Sequence, residues 1–277
     1  MKAVVFDLDG VIRIGNKLVE SANKTLRYLV DKGIKTMIVT NECRYTVDYL
    51  KDELEEIGLQ IPEETLFYTA ALSCKEYLEK KIKRFPKDKI KVGIVGELGL
   101  YKTINQLNGY DNMEIVNDID DIEVDNNMKL YLVVGSVNRI KINNLDKILK
   151  WLKKDARVIV TCPDTTDPSS KGDFNLGMPN HLLYMAGYNK LAKKYNTGKP
   201  NPIVKEIIMR ELGIDNPGDV LFVGDTLYTD IQLAEESGFK SCLVLTGNSN
   251  RETLKNFVVE PDYVLKNVGE LQTIFNY

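Results

Sequence analysis

Residues 3–11 read Ala3-Val4-Val5-Phe6-Asp7-Leu8-Asp9-Gly10-Val11, and the rest of the chain makes sense around them. The apolar, β-branched run at 3–8 predicts a central strand covered on both faces. Its end carries two carboxylates, and Gly10 takes the chain out of the strand. In parallel α/β sheets, ligands bind beyond the carboxyl ends of the strands, so Asp7 and Asp9 are expected to enter a site. Two carboxylates this close repel, and keeping both charged calls for a cation or a shared proton. A hard, oxygen-preferring Mg²⁺ would resolve the conflict at one of them. Asp-Leu-Asp-Gly is also good turn chemistry, so the stretch alone leaves a plain strand-to-loop transition open.

A second acidic cluster repeats the pattern. The apolar run at 220–223 leads into Gly224-Asp225-Thr226-Leu227-Tyr228-Thr229-Asp230. Asp230 falls in the first turn of the following helix, where a carboxylate suits the positive end of the dipole. Asp225 has no such role, and two strand ends bearing aspartates point to a metal pocket. The strand at 36–39 ends at Thr40-Asn41, which offers a hydroxyl and backbone N–H groups to phosphate oxygens. Gly198-Lys199-Pro200 sets a lysine in a rigid turn before a helix. Neither segment is specific by itself. The glycine spacing of 93–99 fails the dinucleotide fingerprint, and Gly198-Lys199-Pro200 lacks the flanking residues of a P-loop.

Around these points, short apolar runs alternate with helical-period segments, the rhythm of parallel sheet with crossover helices. Helices are expected from Ser21, read as an N-cap, to Gly33, from Val47 to Gly58, and over about 72–82. A new run of strands begins at 91–95 and continues at 130–134 and 158–160. After Pro200 the first rhythm resumes: helix 203–212, strand 220–223, helix 231–237, strand 242–245, a short strand at 263–265 and a closing helix. The reading is an α/β, Rossmann-like core with a central parallel sheet (residues 1–73 and 185–277), interrupted by a smaller α/β cap (residues 74–184).

Net charge is −3 among 277 residues, which gives no global field for a nucleic acid polymer, and the lysine pairs are interleaved with acids. Cys43, Cys74, Cys162 and Cys242 are far apart with no Cys-x-x-Cys pair, so reduced thiols are expected rather than a zinc site or disulfides. The opening apolar run is too short for a signal-peptide core, and no stretch approaches the roughly 20 residues needed to cross a bilayer. A cytoplasmic protein without a membrane partner is expected. The single histidine, His181, has no nucleophile arranged around it by sequence.

In chain order, Asp7-x-Asp9-Gly10, Thr40-Asn41, Lys199-Pro200 and Gly224-Asp225-x-x-x-x-Asp230 resemble the four motifs of the haloacid dehalogenase (HAD) superfamily. The branch they resemble is the NagD-like or 4-nitrophenylphosphatase-like one, whose α/β cap is inserted between the second and third motifs. The segment at 92–100, Val134-Gly135 and Thr161-Cys162-Pro163-Asp164 resemble that branch as well. Departures are Glu42-Cys43, where relatives commonly carry Asn and Ser, and Cys162, where Asn is frequent. Val137-Asn138 and the segment at 175–181 also stray from the usual pattern. With the catalytic set intact, these differences bear on substrate choice.

The resemblance implies a Mg²⁺-dependent phosphatase acting on small-molecule phosphate monoesters. Asp7 would attack phosphorus and hold an aspartyl-phosphate; Asp9 would serve as general acid and then base, with a proton affinity raised by its neighbours and the cap. Mg²⁺ would take the Asp7 carboxylate, the Asp9 carbonyl and Asp225, with Asp230 behind them or acting through water. Lys199, Thr40 and Asn41 would bind the phosphoryl group. The cap would hinge near Cys74 and near 180–186, with residues at 164–168 meeting the leaving group, and a homodimer through the cap is an implied partner arrangement. Two rivals stand beside this reading: a phosphotransferase or mutase of the same fold, and a non-catalytic phosphate binder, against which the pairing of Asp7 with Asp9 speaks.

Overall fold

β1 (Ala3–Phe6) is apolar at every position because both of its faces are covered. Val4 and Phe6 pack into one core, Ala3 and Val5 into the other, as the two-residue period of a strand requires. The computed structural model describes residues 1–123, 127–136, 142–154, 156–164 and 196–275. Beyond β1 a small hairpin, β2 (Arg13–Ile14) and β3 (Lys17–Leu18), precedes α1 (Ala22–Asp31). β4 (Lys35–Thr40), α2 (Val47–Glu56) and β5 (Leu66–Thr69) follow, and Thr69 caps α3 (Ala70–Arg84).

A second set of elements then begins: β6 (Lys89–Val95), α4 (Leu98–Ile104), β7 (Met113–Val116), β8 (Met128–Val134), α5 (Ile142–Leu152) and β9 (Arg157–Val160). After 196 the first set resumes with α6 (Pro202–Leu212), begun by the Asn201 side chain and a proline in its first turn. β10 (Val220–Gly224), α7 (Gln232–Ser237), β11 (Lys240–Val244), α8 (Arg251–Lys255) and β12 (Tyr263–Leu265) complete it.

Among the described residues, the strands other than β2 and β3 form two separate parallel sheets. The larger runs β12-β11-β10-β1-β4-β5, and the smaller runs β7-β6-β8-β9. From β1 the chain steps outward to β4 and β5 on one side and later to β10, β11 and β12 on the other. This reversal opens a crevice at the carboxyl ends of β1 and β10. Leu26 and Leu29 of α1 cover one face of the large sheet, and Ile207, Ile208 and Leu212 of α6 cover the other. Truncating such a buried leucine to alanine costs roughly 2–5 kcal/mol. The small sheet is covered by Cys74, Leu78 and Ile82 of α3 on one face and by Ile148 and Leu152 of α5 on the other.

Several sequence expectations shift. Ser21 does precede α1, but it sits in the left-handed region (φ 67°) and its hydroxyl makes no cap bond. The helix expected at 231–237 opens with a wider π-helical turn over Leu227–Ile231, and α7 proper starts at Gln232. The closing helix is a 3₁₀ turn at Val268–Thr273. Residue 74, taken as the start of the cap, lies within α3 and is buried against the small sheet. His181, Val137-Asn138 and the segments 165–168 and 175–186 lie outside the described residues. Among the described residues, no helix is long and apolar enough to cross a membrane.

Candidate active site

The site is assembled where the carboxyl ends of β1, β4 and β10 meet. Past β1 the chain bonds back to β10, the Asp7 amide donating to the Val223 carbonyl at 2.8 Å, so the Asp7 side chain enters the crevice. Asp9 is handled differently. Its Oδ1 accepts from Nε of Arg13 at 2.8 Å, and Arg13 Nη1 donates to Glu53 of α2 at 2.5 Å. The two aspartates therefore do not share one cation through their side chains: Lys199 answers Asp7, and Arg13 answers Asp9. Arg13 thus sets a cation against the Asp9 carboxyl. Gly10, at φ +88°, turns the chain between them, and a Cβ there would meet the Asp225 carboxyl at 2.6 Å.

Lys199 is 2 % exposed and donates to Asp7 Oδ1 at 2.5 Å and to Asp230 Oδ1 at 2.7 Å. The π-helical turn explains how Asp230 gets there. It swings the side chain back over the end of β10, where Oδ2 accepts the amides of Asp225 and Thr226, each at 3.1 Å. Asp230 is thus fully buried in the cluster and is more than a helix-dipole residue. Gly224 is required beneath it, since any Cβ would run into the Asp230 carboxyl.

Asp225 is 1 % exposed and is held by the loop after β11: the Asn248 amide donates to Oδ2 at 2.6 Å, and Thr226 Oγ1 to Oδ1 at 3.2 Å. Thr40 ends β4, where its hydroxyl accepts the Glu42 amide at 3.0 Å. Asn41 works as a staple. Its Oδ1 accepts the Lys199 amide at 2.8 Å, and its Nδ2 donates to the Lys199 carbonyl at 3.4 Å and to Asp164 Oδ1 at 3.2 Å. Asp164 follows β9, so the small sheet contributes a carboxylate to the same crevice.

The cavity encloses about 330 Å³, open solvent at its mouth included, and its lining includes Asp7, Asp9, Thr40, Asn41, Asp164 and Asp225. Its electrostatics are those of a place short of positive charge. Burial raises the Asp7 pKa well above the usual carboxylate range; Lys199 opposes this, and Asp230 and Asp225 add to it. Burial, with Asp230 next, pushes Asp225 up to about 7. Burial likewise lifts Asp164 to about 6, against the pull of Lys199. For Lys199 burial works against the charge, but Asp230, Asp7 and Asp164 outweigh it and its pKa goes up.

Asp7, Asp225 and Asp230 each offer an oxygen, and these atoms lie within 4.8 Å of one another. An all-carboxylate, buried donor set with excess negative charge fits a hard divalent cation such as Mg²⁺. All seven residues singled out by sequence reach this region, with Asp9 turned toward Arg13. Sequence reasoning missed Arg13, Thr226, Thr229 and Asn248. Asn248 carried a usable signal, because Thr246-Gly247-Asn248 follows an apolar strand just as the other motif loops do.

Comparison with known proteins finds related families at both ends of the chain. Residues 4–109 match the family described as haloacid dehalogenase-like hydrolase, and residues 196–271 match the one described as HAD-hydrolase-like. The chain is 26 % identical over 265 residues to the dihydroxyacetone phosphatase of Corynebacterium glutamicum, covering 96 % of this chain and 88 % of that one. It is 26 % identical over 276 residues to the ribonucleotide monophosphatase NagD of Escherichia coli K12, covering 99 % of each. Among solved structures, the p-nitrophenyl phosphatase from Archaeoglobus fulgidus superposes with a TM-score of 0.76 at 27 % identity, covering 99 % of this chain and 98 % of that one.

Proposed function

The chain belongs to the haloacid dehalogenase-like hydrolases, in the NagD-like branch, and on that premise we propose that it is a magnesium-dependent phosphatase of small-molecule phosphate monoesters. The observation that carries the reading is the convergence of Asp7, Lys199, Asp225 and Asp230, from the ends of β1 and β10, the turn before α6 and the π-helical turn, into one buried cluster. Burying charged groups together is costly to a fold, and such clusters concentrate at functional sites.

In the proposed mechanism an oxygen of Asp7 attacks phosphorus in line, forming a P–O bond to the carboxylate as the bond to the leaving oxygen breaks. Asp9 gives its proton to that oxygen and later takes one from the water that attacks the acyl phosphate, so that inorganic phosphate leaves and Asp7 is restored. Arg13 fixes the orientation of the Asp9 carboxyl through Oδ1. Lys199, anchored by its backbone to Asn41, holds positive charge beside Asp7 where the transferred oxygens arrive. Thr40 and the backbone at Asn41 complete the phosphate cradle. Mg²⁺, held by Asp7 and Asp225 with Asp230 behind them and the Asp9 carbonyl as a further ligand, would neutralise charge on the phosphoryl group. Residues 1–73 and 185–277 form the proposed core and 74–184 the proposed cap, whose Asp164 lines the cavity.

The test is phosphate release from a panel of monoesters with and without Mg²⁺. Release of inorganic phosphate that disappears on complete chelation supports the reading. Transfer of the phosphoryl group to an added alcohol with no free phosphate would favour a phosphotransferase.

A further inference from the structure

Arg13 is buried, and its guanidinium is shared between two acids from different parts of the fold. Nε donates to Asp9 Oδ1 at 2.8 Å, and Nη1 donates to Glu53 Oε2 at 2.5 Å. Asp9 belongs to the cavity wall; among the described residues that line the cavity, neither Arg13 nor Glu53 is found. The contacts therefore run from the wall to α2 in the order Asp9, Arg13, Glu53. Burial works against the charge of Arg13, but Asp9 and Glu53 outweigh it and its pKa goes up, so the cation between them is permanent.

Charge balance at Asp9 is met by Arg13 alone, so Glu53 serves another purpose. The backbone of the turn fixes only where the two side chains start: the Gly10 amide donates to the Arg13 carbonyl at 2.7 Å, and the Arg13 amide to the Leu8 carbonyl at 3.1 Å. Beyond Cα the arginine stem is long, and a guanidinium tied at one end can turn about it. A cation held loosely beside a cavity of carboxylates is pulled among them and away from Oδ1. Glu53 is a carboxylate on α2, outside that cavity, and supplies the second tie. Nor does α2 need the tie to dock. Leu54 packs with Leu8, Val11 and Ile12 in one apolar core, and Leu50 is fully buried. The Glu53 side chain is 29 % exposed, and an ion pair with a partly solvated partner adds little to stability. What the tie adds is direction, because two ends held together define the plane of the guanidinium.

We infer that Glu53 is a positioning residue for proton transfer: through Arg13 it holds the Asp9 carboxyl in the orientation that protonates the leaving oxygen. Monoesters with a basic leaving oxygen therefore depend on a side chain of α2 that does not line the cavity. The proton moves from Asp9 to that oxygen as its bond to phosphorus breaks. The inference rests on the phosphatase reading, with Asp9 as the acid. Misplacing a reacting group by about 1 Å costs up to roughly 10²-fold, within the roughly 10²–10⁴-fold that a general acid contributes.

The test follows kcat/KM across three monoesters ordered by the basicity of the leaving oxygen: 4-nitrophenyl phosphate, phenyl phosphate and glycerol phosphate. The nitrophenolate departs with little help from a proton, and the glycerol alkoxide requires one. Glu53→Ala should cost glycerol phosphate roughly 10–100-fold, phenyl phosphate less, and 4-nitrophenyl phosphate almost nothing. Glu53→Gln keeps an acceptor for Nη1 and should recover most of the loss. Arg13→Lys keeps the charge without the two-ended fork, so it should show the same dependence on the ester. It carries the test if Glu53→Ala does not fold. A loss of equal size for every ester is what a merely structural role gives, and it overturns the inference. So does unchanged turnover of glycerol phosphate. Either result leaves the phosphatase reading in place. If the wild type releases phosphate from no monoester, that reading falls and this inference with it.

Discussion

The two parallel sheets of the described residues each have a reversal in strand order, but their carboxyl edges are used in opposite ways. At the large sheet, the edge between β1 and β10 is open and gathers Asp7, Lys199, Asp225 and Asp230. At the small sheet the corresponding edge is filled. The Cys43 thiol, just beyond β4, takes hydrogen bonds from the Ser136 amide at 3.2 Å and the Thr161 hydroxyl at 3.1 Å. Leu100 closes the remaining space so tightly over Gly96 and Gly135 that a Cβ at either would meet it. Topology supplies a crevice in both places. Whether it becomes a site depends on what fills it: at one edge small apolar and weakly polar groups, at the other charges with no complete set of partners.

Substitutions can break that contrast. The largest effect is expected from Asp7→Asn, which should lower kcat by more than about 10³-fold while the protein stays folded, as judged by phosphate release and a melting curve. Retained turnover would remove Asp7 as the attacking group. Lys199→Ala should come next, because it leaves Asp7 and Asp230 buried without their cation; a loss of roughly 3–5 kcal/mol in denaturant unfolding is expected, partly recovered by Mg²⁺. Asp225→Ala should weaken Mg²⁺ affinity by about 10–100-fold in a calorimetric titration, the range seen when a metal site loses part of its support.

The pH dependence sharpens the comparison further. In the folded protein Asp225 holds its proton up to about 7 and Asp164 up to about 6, and Asp7 is also raised. In the unfolded chain an aspartate releases it near roughly 3.9. The folded state therefore binds more protons above that point, so metal-free stability should fall as pH rises from about 4 to about 7. Mg²⁺ should flatten that slope, and a slope insensitive to Mg²⁺ would count against the carboxylate cluster as its site. The smallest effect is expected at the filled edge: Thr161→Val should cost about 1 kcal/mol in unfolding, the value of one hydrogen bond, and leave the metal affinity as it was.

Most of the charged cluster was legible because strand ends are legible. Apolar runs of four to six residues that stop at Asp7, Thr40 or Asp225 announce both a strand and the side from which its ligand groups emerge. What escaped were the partners. Arg13 sits in a two-residue strand too short to leave a periodic signature, and its tie to Glu53 spans 40 positions. The place of Asp230 depends on a π-helical turn that helical periodicity does not distinguish from an ordinary one. Asn41 was read for the backbone N–H it could offer a phosphate; the ties of its side-chain amide to Lys199 and Asp164 were not, because those contacts exist only once three distant segments have met. Ser21 has the right residue type for a cap and the wrong backbone for it.

Two amides bridge the edges of the sheets: Ser136 donates to the Cys43 sulfur, and Gly99 donates to the Arg44 carbonyl at 2.8 Å. Neither bond belongs to the ladder of either sheet. If the proposed cap moves away from the proposed core, exchange of these two amides with deuterated solvent should report that parting and not the unravelling of either sheet. A ligand that draws the edges together should slow these two protons while leaving strand interiors such as β6 and β10 unaltered, a spectroscopic gauge of closure that needs no label and no turnover.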